Sequence, residues 1–173
     1  MAEDYRGVVG AFPYAFGASD SRLFRSYVVL GGLLTVAVSL LFVAAVIGAI
    51  ASTTGGRGGS LTLSRSFFAV VGLFVVVPLV APVLFVARRH RRARERDDPA
   101  DGRYDAALAA AGYLFVVALY VGLVISVPPG QQTTPTGVLA PLIAALYALP
   151  QLAGLMPPLV AAAGILLAHR LLR

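Results

Sequence analysis

The densest chemistry in the sequence is the run RRHRRARERDD at 88–98, set in a chain of which only 13% of residues are charged. A basic run of this kind binds nucleic acid, binds acidic lipid, or marks the side of a membrane on which a segment lies. His90 sits inside it, and the other histidine, His169, lies near the end of the chain. Two separated histidines with no cysteine make a poor metal set, so no metal is expected. GASDS at 17–21 lacks the second glycine of a G-x-S-x-G nucleophile elbow. GGRGGS at 55–60 lacks the Lys-Ser/Thr that completes a phosphate-binding loop, and is expected to be the most flexible connection. No nucleophile–base pair and no cofactor motif emerges, so the expectation is a protein that is not an enzyme.

The remaining residues explain why so little is charged. Of the 173 residues, 58% are hydrophobic, and the mean hydropathy is +0.84. Soluble domains carry about 45–50% apolar and about 25% charged residues, so this composition points to a membrane protein. All basic residues are arginine, and lysine, asparagine and cysteine are absent.

A helix needs about 20 residues to cross a hydrocarbon core about 30 Å thick. Uncharged stretches of that length occupy 27–51, 66–87 and 106–127. The break VPPGQQTTPTG at 127–137 is a turn region. Beyond it, Pro150 and Pro157–Pro158 divide an apolar stretch that is too long for one span. The expected fold is an all-α membrane protein: a four-transmembrane-helix bundle with a short extra helix at about 138–149 before a last span at 151–172. A re-entrant pair of half-helices is the alternative for this final part. Tyr5, Phe12, Tyr14, Phe16, Phe24 and Tyr27, in the N-terminal lead, are expected at headgroup level, with Ser19 or Asp20 capping the first span. The 25-residue run that follows is too long, and its lead too long, for a cleaved signal peptide.

With four spans, both ends of the chain share a side with the 88–105 loop. Only Arg57 and Arg65 fall on the other side; all other arginines lie with the ends. The positive-inside rule then makes that side cytoplasmic and the arginine run a topological anchor in the cell membrane. Arg88, Arg89, Arg91 and Arg92 are in addition candidates for anionic lipid headgroups. A nucleic-acid role is not expected, because no recognition element accompanies the charge.

Small and hydroxylated residues repeat every four positions within the spans: Gly31, Thr35 and Ser39, then Ala118, Gly122 and Ser126, then Gly164 and Ala168. Such stripes let helices approach closely in lipid, and are expected to pack the bundle. Tyr113 and Tyr120 need partners inside it, and one of them is expected to bond within the Gly31/Thr35/Ser39 stripe. Pro78 and Pro82 leave the carbonyls of Phe74 and Pro78 without donors, giving a kink or a hinge.

AFPYAFGASDSRLFRSYVV, RYDAALAAAGYLF and PQLAGLMPPLVAAAG resemble segments of an uncharacterised family of small haloarchaeal four-span membrane proteins, a domain of unknown function. The resemblance implies fold and membrane location, and carries no catalytic or binding residue. The expected role is structural or accessory, with the lipid bilayer and a second copy or another membrane protein as partners. The alternative is a small transporter or channel component, which would need a water path lined by Thr35, Ser39, Tyr113 and Tyr120.

Overall fold

The computed structural model describes residues 7–52, 72–96 and 102–172, and among these every regular element is helical. The helices are α1 (Gly7–Ala18), α2 (Arg22–Ser52), α3 (Val77–Arg96), α4 (Gly102–Ile125), α5 (Ala140–Tyr147) and α6 (Met156–Leu171). A π-helical turn, Gly72–Val76, leads into α3, and 3-10 turns cover Pro129–Gln131 and Gln151–Leu155.

Three helical stretches are long and apolar enough to cross a membrane: Arg22–Gly48, Gly102–Ile125 and Gln151–Leu171, with mean hydropathies of 2.6, 2.4 and 1.7. They correspond to the expected spans at 27–51, 106–127 and 151–172. The expected second span, 66–87, begins outside the described residues, and its described part carries the π-helical turn and the apolar half of α3. The expected flexible connection at 51–65, with Arg57 and Arg65, also lies outside them, apart from the last residues of α2.

Prolines set several of these boundaries. Pro78 has no N–H to offer the carbonyl of Phe74, and the backbone there takes the wider π-helical spacing before α3 begins. Pro157 and Pro158 fall in the first turn of α6, where missing donors cost nothing. The short helix expected at 138–149 is α5, spanning Ala140–Tyr147.

Two expectations for the N-terminal lead need correction. The lead contains a helix, α1, which packs on α3 and turns back into α2, placing the Phe12 ring beside Gly32. Phe24 and Tyr27 are fully buried core residues and not headgroup anchors, because α1, α3 and α4 cover that face of α2. Ser21, neither Ser19 nor Asp20, caps α2: its Oγ accepts the Phe24 N–H at 3.3 Å.

The core lies where α1, α2, α3, α4 and α6 meet, around Ala15, Phe24, Tyr27, Val83, Leu108, Phe115 and Ile165. α4 is its centre, in contact with α2, α3, α5 and α6. α2 is the opposite case. Its apolar window is only 6% buried, and Leu33, Val36, Leu40, Leu41 and Ile47 face outward.

Candidate functional site: a polar clasp at one end of the bundle

The arginine run is helical. α3 continues past its apolar half through Arg96, so the residues expected in a loop project from a rigid rod at fixed angles. His90 and Arg89 are adjacent on it and face different neighbours. α4 likewise starts at Gly102, which puts Tyr104 and Asp105 in its first turn, one residue apart and on different faces. These two pairs build the site.

Asp105 is 1% exposed. Its Oδ2 accepts the Ser19 hydroxyl at 2.5 Å and stands 2.8 Å from His90 Nε2, which donates to it. Short hydrogen bonds to an ionised acceptor are about twice as strong as neutral ones. The turn between α1 and α2, the charged end of α3 and the start of α4 are thereby joined through one oxygen. Arg25 Nε adds a bond to the Ser19 carbonyl at 2.7 Å, steadying the turn. Asp105 Oδ1 is buried with no hydrogen-bond partner among the described residues.

Tyr104 ties the other side. Its hydroxyl lies 2.6 Å from His169 Nδ1, in the last turn of α6, and the Arg89 guanidinium sits 4.2 Å above its ring. His169 also stacks on Phe85 of α3, with ring centroids 4.0 Å apart and planes 9° apart. An arginine over an aromatic face gains about 0.5–2 kcal/mol, more where desolvated. Thus α3, α4 and α6 close at the same end as the Ser19–Asp105–His90 group.

Serine, histidine and aspartate together invite comparison with an acyl-transfer triad. In a triad the imidazole stands between the hydroxyl and the carboxylate. Here Ser19 and His90 both bond the same carboxylate oxygen, and Ser19 is completely buried. The geometry is that of a structural tie.

A second layer lies deeper. The Tyr27 hydroxyl donates to the Leu79 carbonyl at 2.8 Å, and its ring fills the space above Gly112, where a Cβ would overlap it. Tyr113 meets the Tyr27 ring edge-on at 5.3 Å, and its hydroxyl bonds the Ser26 hydroxyl at 2.8 Å. Tyr113 therefore does bond a hydroxyl of α2, but not one in the Gly31/Thr35/Ser39 stripe. Thr35 and Ser39 instead donate to carbonyls of their own helix, Gly31 and Thr35, each at 2.7 Å. Only Gly31 of that stripe is buried, and Tyr120 is 67% exposed. Thr35, Ser39, Tyr113 and Tyr120 do not line a common path.

The α4 stripe meets the turn before α6. A Cβ on Gly122 would overlap the Gly154 carbonyl, a Cβ on Gly154 would overlap Ser126 Oγ, and Ser126 Oγ donates to the Gln151 carbonyl at 3.3 Å. Ala118 packs against the core, as does Ala168, but Gly164 has open space beside it. Of the arginines considered for lipid, Arg88, Arg91 and Arg92 are exposed and Arg91 pairs with Glu95 at 3.4 Å, whereas Arg89 is turned onto Tyr104.

Sequence reasoning missed Ser19, Asp105, His90, Tyr104 and His169 as a group. Asp105 was one acid among several next to an arginine run, and nothing in its neighbours marks it as buried. Ser26, Tyr27, Gly112 and Gly154 were missed as contacts as well, though all of these lie within or beside the three segments that carry the resemblance.

No curated protein and no solved structure matches this chain. One family model does, over residues 1–173. The chain belongs to the family described as a domain of unknown function, DUF8056.

Proposed function

We propose that the protein is a four-span integral protein of the cytoplasmic membrane, with residues at both ends of the chain on the cytoplasmic side, acting as a non-enzymatic structural or accessory subunit. The observation that carries this reading is the separation of surfaces. Ser19, His90, Tyr104, Asp105 and His169 collect at one end of the bundle, together with the helical arginine run, while α2 keeps an apolar surface along its length. An exposed apolar helix face in water is an aggregation liability; in lipid it is the solvated surface.

The end-to-end contacts also support an even number of crossings. The start of α2, the end of α3, the start of α4 and the end of α6 lie at one level, so α2 and α4 leave it and α3 and α6 return. That level carries Arg22, Arg25, Arg88–Arg96 and Arg170, the side that the positive-inside rule assigns to the cytoplasm. A channel or transporter role draws less support, because the hydroxyl groups that would line a path are bonded within α2 or face outward. The subunit role rests on the largely uncovered α2 and on the absence of an exposed nucleophile in the polar clasp.

Membrane fractionation tests the first half of this reading. The chain should resist alkaline carbonate and require detergent for release; release by carbonate would refute it. Mild-detergent purification followed by mass spectrometry tests the second half. A stoichiometric membrane-protein partner or a discrete homo-oligomer is expected, and turnover of a small-molecule substrate by the purified chain would overturn it.

A further inference from the structure

Between α1 and the charged half of α3 runs an open groove of about 470 Å³, lined by Pro13, Tyr14, Gly17, His90, Ala93 and Arg94. We propose that this groove is a binding site for the phosphate of an anionic phospholipid. The proposal rests on the membrane reading given above and adds a ligand and a place to it.

Depth is the first argument. Ala87 is the last residue of α3 before the arginine run, and His90 and Arg94 follow it on the same helix. At about 1.5 Å per residue they stand about 4–10 Å beyond the hydrocarbon edge. The headgroup layer of one leaflet occupies about 5–8 Å, so the groove opens at phosphate level.

Charge is the second. Arg94 is exposed and has no ion-pair partner among the described residues, in contrast to Arg91, which pairs with Glu95, and Arg25, which pairs with Asp20. His90 lines the same groove with its Nε2 held on Asp105, so one oxygen of the buried carboxylate beneath is already engaged by two partners. An anion in the groove therefore meets the Arg94 guanidinium first. A guanidinium presents several N–H groups in a plane that matches phosphate oxygens.

Shape is the third. Gly17 has no atom within 4 Å of where a Cβ would be, so the groove exists there because a side chain is missing. Pro13 and Ala93 give it apolar walls, and exposed Val8, Val9 and Phe16 on α1 offer acyl chains a surface beside it. The arginines nominated from sequence, Arg88, Arg89, Arg91 and Arg92, do not line it; Arg94, on the turn after His90, does.

The test uses the full chain in a non-ionic detergent, with lipid adducts resolved by native mass spectrometry. Dioleoylphosphatidylglycerol should bind at one saturable site, and dioleoylphosphatidylcholine should not compete for it. Arg94→Gln removes the charge and Gly17→Leu fills the groove without touching any charge; each should weaken phosphatidylglycerol by about tenfold. Arg92→Gln, on an exposed position outside the groove, should leave affinity unchanged. Equal losses in Arg94→Gln and Arg92→Gln would overturn the proposal in favour of diffuse charge, as would full binding by Gly17→Leu or equal binding of phosphatidylcholine. Displacement of the lipid by inorganic phosphate would assign the groove to a soluble anion and overturn the lipid assignment. A chain that needs detergent yet retains no phosphatidylglycerol refutes this site alone; a chain that stays dispersed without detergent refutes the membrane reading beneath it.

Discussion

Asp105 and Tyr27 show how single residues hold this bundle. Asp105 bonds two partners through one oxygen while nearly excluded from solvent. Removing the shared acceptor leaves both partners desolvated without it, at about 1–3 kcal/mol each. Asp105→Ala should therefore lower the unfolding midpoint in detergent far more than Ser19→Ala, which removes one donor and should cost about 1–3 kcal/mol. Thermal unfolding followed by circular dichroism measures both, and equal shifts would count against the clasp. Tyr27→Phe loses only the bond to the Leu79 carbonyl. Its effect should be about 0.6–2 kcal/mol, since unfolded helices in a membrane find other partners. Gly112→Val should be worse than Tyr27→Phe, as the added side chain must displace the buried Tyr27 ring.

Among elements, the contact between α4 and the turn leading into α6 separates two kinds of glycine. Gly154 faces Ser126 Oγ and the Gly122 carbonyl at a separation that leaves no room for a Cβ. Gly154→Ala should push the turn away from α4, break the bond from Ser126 to the Gln151 carbonyl, and destabilise the fold. Gly164 sits within α6 with open space beside it. Gly164→Ala should be neutral or stabilising by up to about 1 kcal/mol, the helix-propensity difference. Unfolding of the two variants side by side checks this, and similar losses in both would show that the stripe on α6 packs against something not seen from its neighbours here. By contrast, α3 owes its entry to proline: Pro78 denies Phe74 a donor, and the π-helical turn occupies that place.

For the whole molecule the prediction is topological, and a chain without cysteine makes it direct to test. A single cysteine at Gln131, between α4 and α5, should react with a membrane-impermeant maleimide in intact cells. A cysteine at Arg92 should react only after the membrane is opened. Both positions are solvent-exposed, so accessibility alone does not separate them. Labelling of the Arg92 site from outside would reverse the orientation, and labelling of both sites from one side would reduce the number of crossings.

Helix content and the location of three long apolar helices were legible in the sequence, because apolar length and proline position are local properties that tertiary contacts rarely override. Pro157 and Pro158 mark the first turn of α6 in the sequence as they do in the fold. Which polar residues would be buried was not legible. Asp105 follows a run of arginines and acids in the sequence, Ser19 stands beside an exposed Asp20, and His90 among arginines; burial depends on the angle at which each leaves its helix and on what crosses there. The stripe of Gly31, Thr35 and Ser39 has the right spacing for packing, yet only Gly31 is buried, since the bundle core lies toward one end and α2 runs on beyond it. Spacing along one helix determines which residues share a face. Only the crossing of α1, α3, α4 and α6 decided which of those faces would be covered, and that crossing is set by contacts between segments far apart in the chain.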